Sequence, residues 1–251
     1  MDFTGRDVVS IRDLSKEEIL FILDHAAKAM PVAKGERRSK ALDGRLLATL
    51  FFEPSTRTRL SFETAMNRLG GSVIGFSDAS GTSVVKGETL ADTIRMAESY
   101  ADAIVLRHPH EGAAKLAADF SSKPVINAGD GAGQHPTHTL LDLFTIKMEK
   151  GEIADNNIVL VGDLKYGRTV HSLSYALSLF GANITLVAPP SLQKPLEVVS
   201  HLKEMGGRFN QAEHLESVIP GADVLYVTRI QKERFPDPEE YRKVEIGRAH
   251  V

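Results

Sequence analysis

Apolar positions in this chain recur at helical spacing in some stretches and in short continuous runs in others, and the two kinds alternate. At Ser15 a helix opens. Ser15 and Glu18 form a capping box, and Ile19, Leu20, Ile22, Leu23, Ala26, Ala27 and Met30 supply an apolar stripe. After a basic, Gly-containing connection over 34–40, the pattern predicts strand 46–52, helix 56–69, strand 73–76, helix 90–100, strand 103–107, helix 112–120 and strand 125–127. A long amphipathic helix over 137–150 follows, apolar at Leu140, Leu141, Leu143, Phe144 and Met148 and ended by Gly151. Alternation then restarts with strand 158–161, helix 169–180, strand 184–187, helix 196–205 and strand 224–228. The fold class is therefore α/β, with two doubly wound parallel-sheet domains joined by a long helix. The expected boundaries are a first domain over 1–136, a linking helix over 137–150 and a second domain over 151–251. No solenoid period and no low-complexity tract appears.

Composition narrows the function. With 251 residues, 42% hydrophobic and 25% charged, the chain can bury two modest cores. A net charge of -3 gives no general attraction to nucleic acid or anionic lipid, so a bound anion must be caught by a local arrangement of basic groups. Cysteine is absent, which removes disulfides, thiolate catalysis and sulfur-ligated zinc. The first fifteen residues have no apolar core, and no apolar run approaches the ~20 residues that span a bilayer. The expectation is a soluble, cytoplasmic protein acting on a small ligand.

Candidate chemistry gathers where predicted strands end. Phe51-Phe52-Glu53-Pro54-Ser55-Thr56-Arg57-Thr58-Arg59 leaves a strand and opens a helix, so backbone N–H groups, the helix dipole, three hydroxyls and Arg57 can meet a phosphate dianion. The same segment also reads as a capped helix with solvated arginines. Asp78 to Thr89 is a loop of small residues carrying Ser83 and Lys86, either a functional loop or a flexible surface one. Arg107-His108-Pro109-His110 and Gly129 to His138 close two further strands, which puts Arg107 and His135 where open α/β sheets bind ligands. The histidine spacing there matches no metal-ligand pattern.

Gly162, Gly167, Arg168 and Thr169 match the spacing of a Walker phosphate loop. Asp163 would put a carboxylate inside a triphosphate cradle, and the later strand ends in Thr228 and Arg229 rather than a magnesium-binding aspartate, so a nucleotide triphosphatase is set aside. Arg168 and Arg229 are either surface arginines or a pair able to hold the two carboxylates of a diacid.

Taken together, these segments resemble the aspartate and ornithine carbamoyltransferase family from near the N-terminus to about Lys243. The Ser55-Thr56-Arg57-Thr58-Arg59 segment is similar to the carbamoyl phosphate site of the whole family. Lys86 to Thr89, Gly162 to Ser172 and Thr228 to Phe235 resemble its aspartate branch. The resemblance implies that Ser55, Thr56, Arg57 and Thr58 hold phosphate, with Thr58, Arg107 and His135 on the carbonyl oxygen. It further implies that Lys86, Arg168, Thr169, Arg229 and Gln231 receive aspartate, and that Ser83 and Lys86 reach in from an adjacent subunit of a homotrimer. The implied reaction joins carbamoyl phosphate to L-aspartate on the pyrimidine pathway with no cofactor and no metal. A regulatory chain is a further partner the family allows.

Two departures from the family pattern stand out. His138 occupies the place of a glutamine that would bind the carbamoyl amino group. The family also continues past this chain's last residue, so the second domain is expected to be incomplete, and Glu245 to Val251 reads like a translated sequencing adapter. The alternatives are a carbamoyltransferase for another amine and an inactive phosphate-binding fragment.

Overall fold

The computed structural model describes residues 1–131 and 133–228. They form two compact units, Met1–Leu141 and the part that begins at Asp142. In the first, helix α1 (Lys16–Ala33) begins at the anticipated capping box, with Ser15 Oγ accepting from the Glu18 N–H at 3.2 Å and Glu18 Oε2 accepting from the Ser15 N–H at 2.7 Å. Strands β1 (Leu46–Phe51), β2 (Ser72–Phe76), β3 (Ala103–His108) and β4 (Val125–Asp130) alternate with helices α2 (Thr56–Arg68), α3 (Leu90–Glu98) and α4 (Ala113–Phe120). All pairings are parallel, in the order β2-β1-β3-β4.

The sheet is wound on both faces because side chains alternate along a strand. Ala48, Leu50, Ile104 and Leu106 pack with Ile94 and Ala97 of α3 and Ala114 and Ala117 of α4, while Leu47, Phe51 and Val105 pack with Met66 of α2. Ile104 is fully buried, and its truncation to alanine would cost about 2–5 kcal/mol. The outer edge of β4 is covered by the N-terminal segment, through a parallel bridge from Val8 to Ile126.

Helix α5 (Pro136–Lys150) runs through the division between the units. The second unit contains β5 (Asn157–Val161), α6 (Arg168–Phe180), β6 (Asn183–Val187), α7 (Leu196–Glu204), β7 (Arg208–Ala212) and β8 (Val224–Val227). Its sheet is again parallel, in the order β7-β6-β5-β8.

Three readings of the sequence need correction. Strand β7 was not anticipated, because Arg-Phe-Asn-Gln-Ala is a polar, mostly exposed edge strand without an apolar run. Strand β4 continues to Asp130, where a turn from Gly129 is expected. The loop after β2 is ordered by two 3-10 turns, Ala79–Gly81 and Ser83–Lys86, capped by the side chains of Asp78 and Thr82.

Candidate active site

Strand order reverses direction about β1 in the first sheet, since β2 lies on one side and β3 on the other. Loops leaving the carboxyl ends of β1 and β3 therefore part, and the crevice between them is where such sheets take ligands. The first turn of α2 stands there. Ser55 holds the N-cap position with extended backbone, yet its side chain makes no capping bond. The first N–H groups of α2 and the Ser55 hydroxyl thus remain available to an anion.

The two arginines of this segment differ in role. Arg59 Nη1 lies 3.7 Å from Glu63 one turn on, whereas Arg57 is exposed and forms no ion pair among the described residues.

At the end of β3, Arg107 is largely buried and anchored twice. Its Nη2 lies 2.6 Å from Glu53 Oε1 and its Nη1 donates to the Ala128 carbonyl at 3.0 Å, which leaves its buried Nε–H without a partner among the described residues. His108, next along, has its ring between Phe52 at 4.9 Å and His110 at 5.2 Å. Burial, and then the neighbouring charge of His110, hold its pKa below the usual histidine value. Its Nδ1 accepts the His110 backbone N–H at 3.1 Å, so the neutral ring carries its proton on Nε2.

The turn after β4 is built by two buried residues the motifs do not single out. Asp130 accepts from the Gln134 N–H at 2.8 Å, the Gly112 N–H at 2.9 Å and Asn127 Nδ2 at 3.1 Å, and Asn127 Oδ1 accepts from the Gly129 N–H at 2.7 Å. This network delivers the buried His135 to the start of α5, where its carbonyl accepts from the N–H groups of His138 and Thr139. His135 Nδ1 lies 3.4 Å from Thr137 Oγ1, and its ring meets that of His138 edge-on at 5.2 Å.

Ser83 and Lys86 are exposed on the second 3-10 turn beyond β2, ended by Gly87 at φ 94°. Lys86 forms no ion pair among the described residues. The carboxyl edge of the first sheet thus brings Ser55, Thr56, Arg57, Thr58, Arg107 and His135 onto elements that leave β1, β3 and β4. Glu53, Asn127 and Asp130 are the residues that sequence reasoning missed. The Asp-Gly pair at 130–131 was the local signal, but its hydrogen-bond partners are remote.

The second sheet repeats the reversal at β5, between β6 and β8. Gly162, at φ 120°, lets β5 approach β8 closely, since a Cβ there would lie 2.2 Å from the Thr228 carbonyl oxygen. Arg168 opens α6, with its side chain outside the described part. Thr169 hydrogen-bonds to Tyr226, whose hydroxyl also donates to Asp142 Oδ2 at 3.2 Å. Burial pushes the Asp142 carboxyl up to about 7 and the Tyr226 hydroxyl up to about 12. Arg229 and Gln231 lie outside the described residues. Among the described residues no group of three or more potential metal ligands occurs, and no helix is long and apolar enough to cross a membrane.

Comparison with known proteins accounts for both halves. Residues 6–148 match the aspartate/ornithine carbamoyltransferase carbamoyl-P binding domain, and residues 154–250 match the Asp/Orn binding domain of the same family. The aspartate carbamoyltransferase catalytic subunit of Methanocella arvoryzae is 59% identical over 245 residues, covering 97% of this chain and 79% of the relative. That of Thermococcus kodakarensis is 59% identical over 244 residues, with 97% and 79% covered. Among solved structures, the catalytic subunit of M. jannaschii aspartate transcarbamoylase superposes with a TM-score of 0.89 at 57% identity, covering 95% of this chain and 78% of the other. Aspartate transcarbamoylase from Trypanosoma cruzi in complex with carbamoyl phosphate and aspartate gives 0.88 at 41% identity, with 95% and 76% covered. Two domains matched in order, each on its own doubly wound sheet, mean that this chain belongs to the aspartate/ornithine carbamoyltransferase family.

Proposed function

We propose that this chain transfers the carbamoyl group of carbamoyl phosphate to the amine of L-aspartate, giving N-carbamoyl-L-aspartate and phosphate for de novo pyrimidine synthesis in the cytoplasm. The observation that carries the reading is the first turn of α2, where Ser55 caps by position only and Arg57 has no ion pair among the described residues. Ser55, Thr56, Arg57 and Thr58 hold the phosphoryl group there. Residues 1–136 act as the carbamoyl phosphate domain and residues 151–251 as the aspartate domain, linked through 137–150.

Carbamoyl phosphate is already activated, so the reaction asks for no side-chain nucleophile. The aspartate amine attacks the carbonyl carbon, the C–N bond forms, and the C–O bond to phosphate breaks. Thr58, Arg107 and His135 stabilise the oxygen that gains charge, and the Nε–H of Arg107, without a partner among the described residues, is a donor in reserve for it. The departing phosphate takes the proton lost by the amine. Lys86, Arg168, Thr169, Arg229 and Gln231 orient the two carboxylates of aspartate, and His138 faces the carbamoyl amino group. Ser83 and Lys86 serve the site of the adjacent subunit in a homotrimer, to which a regulatory chain can bind. Rate comes from orientation and preorganised charge.

A colorimetric assay for ureido product with purified protein tests the reading, using aspartate, ornithine and putrescine as acceptors. Product with aspartate alone is expected. Preference for either other amine, or no product with any of the three, overturns it.

A further inference from the structure

Two hydroxyl groups and a carboxyl group, from three separate elements of the second unit, form a chain beside the first turn of α6. Tyr226 is paired with Leu160 in the register of β5 and β8, and β5 is the strand whose continuation opens α6 at Arg168. The Tyr226 hydroxyl thereby meets Thr169, the second residue of that helix, and also Asp142 of α5, where the second unit begins. All three residues are half-buried.

A hydroxyl carries a single proton, so the direction of such a chain is set by its end. Tyr226 Oη donates to Asp142 Oδ2 at 3.2 Å. A carboxyl oxygen accepts whether the group is ionised or holds a proton on its other oxygen, so the burial that raises the Asp142 pKa to about 7 leaves this direction unchanged. With its own proton committed, the Tyr226 oxygen accepts from Thr169, whose hydroxyl is left with lone pairs and no free proton. A carboxylate, which is acceptor-only, finds no partner in that oxygen, whereas the N–H of an amine does. The Thr169 backbone N–H lies in the first turn of α6 without an acceptor inside the helix, and it is the group of this residue suited to a carboxylate.

Resting on the reading that this chain takes aspartate, we propose that Asp142 and Tyr226 are positioning residues that turn the Thr169 hydroxyl into an acceptor for the aspartate amino group. The hydroxyl then selects a diacid that carries an amine and aims its nitrogen. Succinate is the probe, because it has both carboxylates of aspartate and no amine. Steady-state carbamoyl transfer gives kcat/KM for aspartate and the inhibition constant of succinate, in the native chain, Tyr226→Phe, Thr169→Val and the double variant.

Tyr226→Phe is expected to lower kcat/KM for aspartate at least about fivefold while the succinate constant stays within about twofold of native, since only a hydrogen bond to the amine is lost. Thr169→Val should show the same pattern, and adding Tyr226→Phe to it should change kcat/KM by less than about twofold, because both substitutions break one chain. Asp142→Asn keeps an acceptor for Tyr226 and is expected to lie closer to native than Asp142→Leu. Should Tyr226→Phe melt early, Thr169→Val, which keeps the shape of the side chain, gives the same comparison against succinate. Succinate weakened as much as aspartate, additive losses in the double variant, or no change in either constant overturns the proposal and leaves the transferase reading standing. Absence of ureido product from the native chain overturns both.

Discussion

Arg107 is held by Glu53 at 2.6 Å, so the charge proposed to meet the substrate carbonyl is positioned by a carboxylate on the neighbouring strand's loop. Glutamine in place of Glu53 keeps an acceptor but removes the opposing charge. Because the Arg107 side chain is only 13% exposed, we expect a loss of about 1–3 kcal/mol of stability, below the cost of breaking a fully buried pair. In the assay, kcat should fall more than KM for carbamoyl phosphate rises, because orientation is lost rather than charge. Unchanged kcat would remove Glu53 from the positioning role.

Asp130 is the second such device. Its carboxylate accepts three N–H donors from Asn127, Gly112 and Gln134 while only 4% exposed, and substitution by alanine takes this acceptor from the Gly112 and Gln134 N–H groups, while Asn127 Nδ2 keeps the Val9 carbonyl at 2.9 Å. An unsatisfied donor costs up to about 1–3 kcal/mol when buried and less at these part-buried N–H groups, so Asp130→Ala is expected to lower the melting temperature and to release His135 from its place. Calorimetry and turnover on the same sample check this; a stable, fully active variant would contradict it.

The elements most readily visible in the sequence were those whose side chains are buried. Strands β1, β3 and β5 are apolar runs because both faces are covered, and α1 announces itself through Ser15 and Glu18. Strand β7 was invisible because an edge strand with exposed positions has no apolar signature. Site residues showed the same division. Ser55 to Arg59 are contiguous and legible, whereas Glu53 with Arg107 and Asp130 with Gly112 are pairs that only the folded sheet brings together. The turns over 79–86 sit between these cases, since their caps at Asp78 and Thr82 are local but their residues lack any periodic pattern.

Asp142 gives the second unit a pH dependence opposite to that of ordinary carboxylates. Burial raises its pKa from 3.8 to about 7, so the folded chain holds a proton that the unfolded chain releases. Between those values the native state binds more protons, and stability falls as pH rises through the window, then levels off. The contribution has an upper limit on the order of 4 kcal/mol, since each pH unit is worth about 1.4 kcal/mol. Denaturant unfolding at several pH values should show a downward slope in the native protein relative to Asp142→Asn. Parallel curves for the two proteins would exclude Asp142 as the source.

If Ser83 and Lys86 serve a neighbouring site, two dead proteins can make a live one. Arg57→Ala and Lys86→Ala chains are each expected to be inactive as pure trimers. In a mixed trimer, a site with Arg57 from one chain and Lys86 from the other is intact. Mild dissociation and reassociation of the mixture should therefore restore activity, and continued inactivity would place Lys86 in its own chain's site.

His138 stands edge-on to His135 at 5.2 Å in the first turn of α5. A neutral imidazole has one nitrogen that can accept a hydrogen bond from the carbamoyl amino group, and a protonated imidazole has none. KM for carbamoyl phosphate is accordingly expected to rise as pH falls through the histidine range near about 6.5. His138→Gln restores an acceptor that does not titrate, so its KM should be lower at acid pH and flat across the range. A rise in KM that persists unchanged in His138→Gln would assign the titration to another group, with His135, whose ring lies 5.2 Å away, the nearest candidate.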